Sequence, residues 1–285
     1  MTTIDQPQEI DTGTTDLIAT RRDGVLTLTL NRPERRNAMT PAMMAALAAQ
    51  LHDAETSELV GAVVITGAGA AFCAGGDVKS FNERGGEGGP QATVADPARI
   101  ANQQSSQRAT VGRIYQLAKP VVAALPGGTA GAGLGLALAA DLRIGCPRTV
   151  LATAFAGVGL SGDYGVAWLL NAIVGPSRAR ELMFLNERVD SVRALELGLL
   201  NRCVPEDELP GAAFELASRL ANGPQAALRA MKVNLLNAGR LDLEPAMDFE
   251  VGPHMTCGVT DDHRNAVAAF VEKRTPVFSA AWRRP

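Results

Sequence analysis

The stretch KPVVAALPGGTAGAGLGLALAAD, Lys119 to Asp141, constrains this chain more than any other, because it packs five glycines into nine residues with no charge between its two ends. The uncharged run from Pro120 to Ala140 has the length of a membrane span. Glycine and alanine dominate it, however, and Pro126 interrupts it, so a buried strand, turn and helix fits better. The β-branched start predicts a strand over Val121 to Leu125, a turn at Pro126-Gly127-Gly128, and a helix from near Ala130 to Ala140. Glycines at a helix start let a ligand approach the backbone, and first-turn N–H groups have no partner inside the helix. Bare donors beside a positive dipole end suit an oxygen that gains negative charge. Tight packing of the helix on a sheet is the other reading of the same glycines.

Two nucleotide readings fail on the letters. A mononucleotide phosphate loop ends in Gly-Lys-Ser or Gly-Lys-Thr, whereas these glycines run into Leu134 and Leu136. A dinucleotide fingerprint begins at Gly131 and Gly133, but its third glycine is displaced to Gly135 and no acid stands at the ribose position, which argues against a nicotinamide dehydrogenase.

The surrounding pattern is α/β. An Asp23-Gly24 turn joins two alternating segments into a hairpin, and Thr40-Pro41 caps a helix. GAVVITGAG reads as a strand covered on both faces. Residues 1–15 are polar and acidic and read as a flexible tail without signal-peptide order, which sets a cytoplasmic expectation. Residues 16–204 form the α/β core, and 205–285 a helical region suited to oligomerisation. Residues 82–110 read as a surface loop leading into a helix, or as a lid over a site.

With 285 residues, 46% of them hydrophobic, there is ample core material, and a net charge of −3 from mixed signs speaks against a nucleic-acid partner. The scattered cysteines at 73, 146, 203 and 257 suggest reduced thiols and neither zinc nor disulfides.

Three ordered stretches carry a family resemblance: LNRPERRNAMT at Leu30 to Thr40, GAGAAFCAGGDVKSF at Gly67 to Phe81, and GTAGAGLGLALAADLRIG within and after the glycine-rich run. With the tail AVAAFVEKRTPVF, they identify the chain as a member of the crotonase, or enoyl-CoA hydratase/isomerase, superfamily across residues 20 to 280. The resemblance implies a repeated ββα spiral core, an acyl-CoA substrate with no separate cofactor or metal, no membrane, and a homotrimer or hexamer. It places the oxyanion donors on the N–H groups of Gly76 and Ala132, and the adenine and pantetheine along Ala74 to Asp77. It makes Lys79 and Lys273 candidates for the CoA phosphates, although both also read as solvated lysines.

Where hydratases of this family place two glutamates, this chain has Gly135 and Phe155. The stretch ATAFAGVGLSGDYGVAWLL instead contains Asp163 and resembles a branch that includes ring-1,2-epoxyphenylacetyl-CoA isomerases and aryl-CoA dehalogenases. In an apolar pocket beside Phe155, Val158 and Trp168, Asp163 would be a stronger base through desolvation; a turn or helix cap is its structural alternative. Dehalogenation would want a histidine near Gly76, and His52, His254 and His263 are all distant in sequence. A serine hydrolase would want G-x-S-x-G, which is absent. Glu250 and His254 read as a surface or interface pair, and Asp141 as structural. A non-catalytic acyl-CoA binder is the competing class.

Overall fold

In the computed structural model, which describes residues 6–83, 85–90, 92–280 and 282, the recurring unit is a strand, a second strand and a helix. Strands β1 (Gln8–Ile10), β2 (Leu17–Arg22) and β3 (Val25–Leu30) form an antiparallel start, and helix α1 (Pro41–Thr56) follows. The first unit is β4 (Ala62–Gly67), β5 (Ala71–Cys73) and α2 (Val78–Glu83). Helices α3 (Pro97–Gln107) and α4 (Arg113–Gln116), joined by a wide turn at Arg108–Gly112, lead to the second unit. That unit is β6 (Val121–Leu125), β7 (Gly128–Ala130) and α5 (Ala132–Ala139). The third is β8 (Leu142–Gly145), β9 (Val150–Ala152) and α6 (Val166–Leu185).

Each unit adds one strand to each of two sheets. The larger runs β1-β2-β3-β4-β6-β8-β11, with β11 at Arg202–Cys203, and the smaller runs β10-β9-β7-β5, with β10 at Arg188–Asp190. From β3 onward the large sheet is parallel, as are β5, β7 and β9. Parallel strands covered on both faces read as continuous apolar runs. Val63, Ile65, Val121 and Ala123 enter one core with Met43 and Leu47 of α1, while Ala62, Val64, Val122 and Ala124 enter a second.

Helix α7 (Ser191–Glu196) precedes β11, and the chain ends in α8 (Leu209–Ala221), α9 (Gln225–Ala238), α10 (Leu243–Gly258) and α11 (Asp261–Val271). Three expectations are corrected. Residues 8–10 are not tail but an edge strand paired with β2. The glycine-rich turn is shorter than expected, because Gly128–Ala130 pairs with β5 and β9 and the helix starts at Ala132. Helix α8 belongs to the core, since its stripe of Leu209, Ala213, Leu216 and Ala217 fills the second core against the sheet. By contrast α10 buries no residue, and Leu243, Met247, Val251 and Met255, spaced one turn apart, form an exposed apolar stripe. Among the described residues no helix is long and apolar enough to cross a membrane.

Candidate functional site

The first and second sequence motifs meet because one cradles the other. Asn37, fully buried with a positive φ of 55°, donates from Nδ2 to the carbonyls of Ala68 and Ala71, and its Oδ1 accepts from the Arg32 N–H. The Ala74 N–H donates to Arg36 O, and the Met39 N–H to Gly75 O. The segment after β5 is thereby held along residues 36–39.

The second loop closes on it. A β-carbon on Gly75 would lie 2.8 Å from Ala130 O and 3.1 Å from the Ala132 nitrogen, so only glycine lets the two backbones touch. Gly131 turns the chain with φ 54° and donates its N–H to Ala152 O, while its own carbonyl accepts from Leu134 and Gly135. Val78 donates to Gly76 O. Among the described residues, the N–H groups of Gly76 and Ala132 take no part in this main-chain pattern. Two backbone donors on abutting loops, one at a helix N-terminus, form the arrangement that stabilises an oxyanion.

Beneath them, a β-carbon on Gly133 would meet Cys73 Sγ at 2.8 Å. Burial pushes the Cys73 thiol up to about 12, outweighing the Gly75 N–H that hydrogen-bonds it. It is therefore a neutral packing group rather than a nucleophile.

The candidate carboxylate is carried by the loop that precedes α6. Between β9 and α6 the chain passes Phe155, a short turn at Ala156–Val158, and then Gly162 (φ 106°), Asp163, Tyr164 (φ 47°) and Gly165 (φ 70°). This loop lies across α5: a β-carbon on Gly135 would come 2.5 Å from Tyr164 O. Helix α3 covers it, using Gln103, Ser106 and Gln107, which share one helical face at i, i+3 and i+4. Gln103 Nε2 donates to Asp163 Oδ2 at 2.8 Å, Ser106 Oγ and Tyr164 OH lie 3.2 Å apart, and Gln107 Oε1 accepts from the Tyr164 N–H at 3.0 Å. The other carboxylate oxygen, Oδ1, is buried without a hydrogen-bond partner among the described residues. Burial, helped by the Glu87 charge and opposed by the Gln103 hydrogen bond, pushes Asp163 up to about 6. A carboxylate raised in this way is better suited than an ordinary aspartate to act as a base near neutrality.

Of the apolar neighbours expected for Asp163, Phe155 is present: its buried ring would contact β-carbons on both Gly131 and Gly162. Val158 is half-exposed. Trp168 is a correction. It sits on the outward face of α6, edge-on to Tyr115 with ring centroids 5.2 Å apart, and lines a separate cavity of about 460 Å³ with Leu138, Met231 and Lys232. Helical phase decides this, because Val166, Leu169 and Leu170 take the inward positions. Ala74 lies in the cradled segment, but Asp77 is engaged locally, 3.5 Å from Arg32 and accepting from the Ser80 N–H. Lys79 on α2 and Lys273 after α11 are exposed. The three histidines are exposed on α1, α10 and α11. Asp141 accepts from the Val121 N–H at 2.7 Å and from Lys232 Nζ at 2.8 Å, a structural clamp between β6 and α9. Among the described residues no group of three or more potential ligands could hold a metal ion.

Sequence reasoning missed Gln103, Ser106, Gln107, Tyr164 and Glu87. The polar run ANQQSSQ carried a signal, since its glutamines and serine recur with helical spacing on a helix too polar to pack as core.

A family model described as Enoyl-CoA hydratase/isomerase matches residues 20–281. The 1,2-epoxyphenylacetyl-CoA isomerase of Escherichia coli (strain K12) is 35% identical over 256 residues, covering 90% of this chain and 95% of that protein. The short-chain-enoyl-CoA hydratase of Clostridium acetobutylicum is 28% identical over 260 residues, covering 91% and 95%. The crystal structure of an enoyl-CoA hydratase from Polaromonas sp. JS666 superimposes with a TM-score of 0.84 at 31% identity, covering 92% of this chain and 99% of that one.

Proposed function

The chain belongs to the enoyl-CoA hydratase/isomerase family, and from that premise we propose that it shifts a double bond in an acyl-CoA thioester, with Asp163 as the single acid and base. The thioester oxygen accepts hydrogen bonds from the N–H groups of Gly76 and Ala132. Asp163 takes a proton from a carbon next to the unsaturated system, the C–H electrons pass to the thioester oxygen, and an enolate forms against the two donors. The same carboxyl returns its proton to a carbon further along. The C–H bond broken is replaced by another, and nothing is added.

The observation that supports this reading most is that the loop lying across Gly135, whose Tyr164 backbone leaves no room there for a side chain, carries a carboxylate at Asp163 that burial pushes up to about 6. Water addition by two carboxylates has no such pair to draw on at residues 135 and 155. The perturbed Asp163 also favours an enzyme over a non-catalytic acyl-CoA binder, in which a solvent-facing, ordinary aspartate would suffice. Phe155 walls the acyl side, Ala74 to Asp77 line the pantetheine, and the exposed Lys79 and Lys273 serve the CoA phosphates. The apolar stripe on α10 supports assembly into a homotrimer or hexamer, because four apolar side chains in line seldom stay wet.

The test is turnover of 2-enoyl-CoA and 3-enoyl-CoA by wild type and Asp163→Asn, with double-bond position and hydration followed by NMR and mass. Double-bond migration by wild type, reduced about 100-fold or more in the variant, is expected of a general base. Equal rates in the two proteins with CoA esters still bound would overturn the assignment.

A further inference from the structure

Helix α3 contributes more than a cover. We propose that Gln103 is a positioning residue that occupies Oδ2 of Asp163 and so leaves Oδ1 as the oxygen that takes and returns the proton. This inference rests on the reading of Asp163 as the base.

A carboxylate flips readily between two equivalent oxygens unless something distinguishes them. Here the Gln103 amide does, at 2.8 Å from Oδ2, and among the described residues Oδ1 is left buried without a partner. An unpaired buried acceptor costs free energy in the resting protein. A bound substrate that delivers a proton to it removes that cost during the reaction, which makes the asymmetry useful. The amide is itself held, because α3 is tied to the Asp163 loop at two further points, Ser106 to the Tyr164 phenol and Gln107 to the Tyr164 N–H. The loop needs such external holding. Gly162, Tyr164 and Gly165 all have positive φ, a conformation that for tyrosine costs free energy and persists only when surroundings enforce it. The helix is aimed by the wide turn at Arg108–Gly112, which packs on α1 and α5 and buries Thr110 and Val111.

Electrostatics agree in direction. The groups facing Asp163 from neighbouring elements are Glu87, which pushes it up, and Gln103, which holds it down; Tyr164, beside it in the chain, is itself raised by burial and stays a neutral phenol. Among the described residues no cation offsets Glu87 at Asp163, so the Gln103 amide is the group that keeps the carboxylate available.

Two variants of nearly unchanged length, Gln103→Met and Gln103→Glu, test this through the pH dependence of kcat and kcat/KM. Wild-type activity rises with pH through a limb near 6, where Asp163 ionises. Losing the donor moves the limb upward by about one unit in Gln103→Met, and further in Gln103→Glu, where another carboxylate joins Glu87 in facing Asp163. The loss falls on kcat, with KM for the CoA ester held. The carboxyl 13C shift of Asp163, titrated in folded, ligand-free protein, reads the same displacement without turnover. A limb and a titration left at the wild-type position in both variants would overturn the proposal, since a merely structural glutamine lowers activity or stability without moving either. If Asp163→Asn is inactive while the Gln103 variants keep the wild-type limb, only the positioning role fails. If Asp163→Asn stays active and wild type shows no limb near 6, the reading of Asp163 as base fails with it.

Discussion

Gly135 lies directly beneath Tyr164: a β-carbon there would stand 2.5 Å from the Tyr164 carbonyl oxygen and 3.0 Å from its β-carbon. The path of the loop that carries Asp163 and the lack of a side chain at 135 are thus one structural fact. The loop that carries Asp163 fills the volume a side chain on α5 would need.

Gly135→Ala is therefore expected to lose activity by displacing Asp163 and to destabilise the fold by about 1–3 kcal/mol, the usual cost of overpacking. Denaturant unfolding and turnover measured together check this. A variant that gains stability and keeps wild-type kcat would contradict the geometry.

Ala132→Pro tests the second proposed oxyanion donor. Proline is well tolerated at the first position of a helix, where the N–H has no helical partner, so α5 should persist. The deleted donor should cost about 3 kcal/mol in transition-state stabilisation, roughly 100-fold in kcat, with a small change in Tm. Unchanged kcat in a folded protein would remove Ala132 from the site.

Asp163 predicts a pH signature in stability as well as in rate. Its value in the folded protein, about 6, lies above the ordinary 3.8, so the folded state binds the proton more tightly. The contribution to stability is full below the ordinary value and is lost as pH rises through about 6. Asp163→Asn, which cannot ionise, should be more stable than wild type at pH 8, with the gap closing towards pH 4. Thermal unfolding across that range measures it, and a gap that widens towards acid would show the opposite shift.

Asp141 and Lys232 form a pair 2.8 Å apart in which Lys232 is buried while Asp141 keeps an exposed edge, each shifted towards neutrality by burial and restrained by the other's charge. Asp141→Ala leaves the buried Lys232 without its counter-charge and should cost about 1–3 kcal/mol, the scale for a buried polar group that loses a partner, whereas Asp141→Leu combined with Lys232→Met should recover much of that loss. Denaturant midpoints of the single and double variants test the pair.

Much of the α/β core was legible because local patterns carried it. The strand over Val121 to Leu125 and the hairpin around Asp23-Gly24 both appear as read. Motif resemblance pointed to Gly76 and Ala132, and the close approach of Gly75 to Ala132 gives that reading its physical ground. Other features depended on which neighbour an element meets. An amphipathic stripe like that of α8 fits a sheet face or another subunit equally well, and a short edge strand such as β1 has little periodicity to detect. Trp168 was misplaced because proximity in sequence to Asp163 says nothing about the phase of the helix that begins between them.

By itself the sequence determined the alternation of strands and helices, the glycines that permit two backbones to touch, and the exchange of glutamates for a single aspartate. Only the tertiary structure decided that Asp163 sits under α3, with one oxygen held by Gln103 and the other left bare. Sixty residues separate the two side chains, and no local preference records such a contact; it exists because the loop before α6 lies across α5 while α3, far away in sequence, hydrogen-bonds that loop.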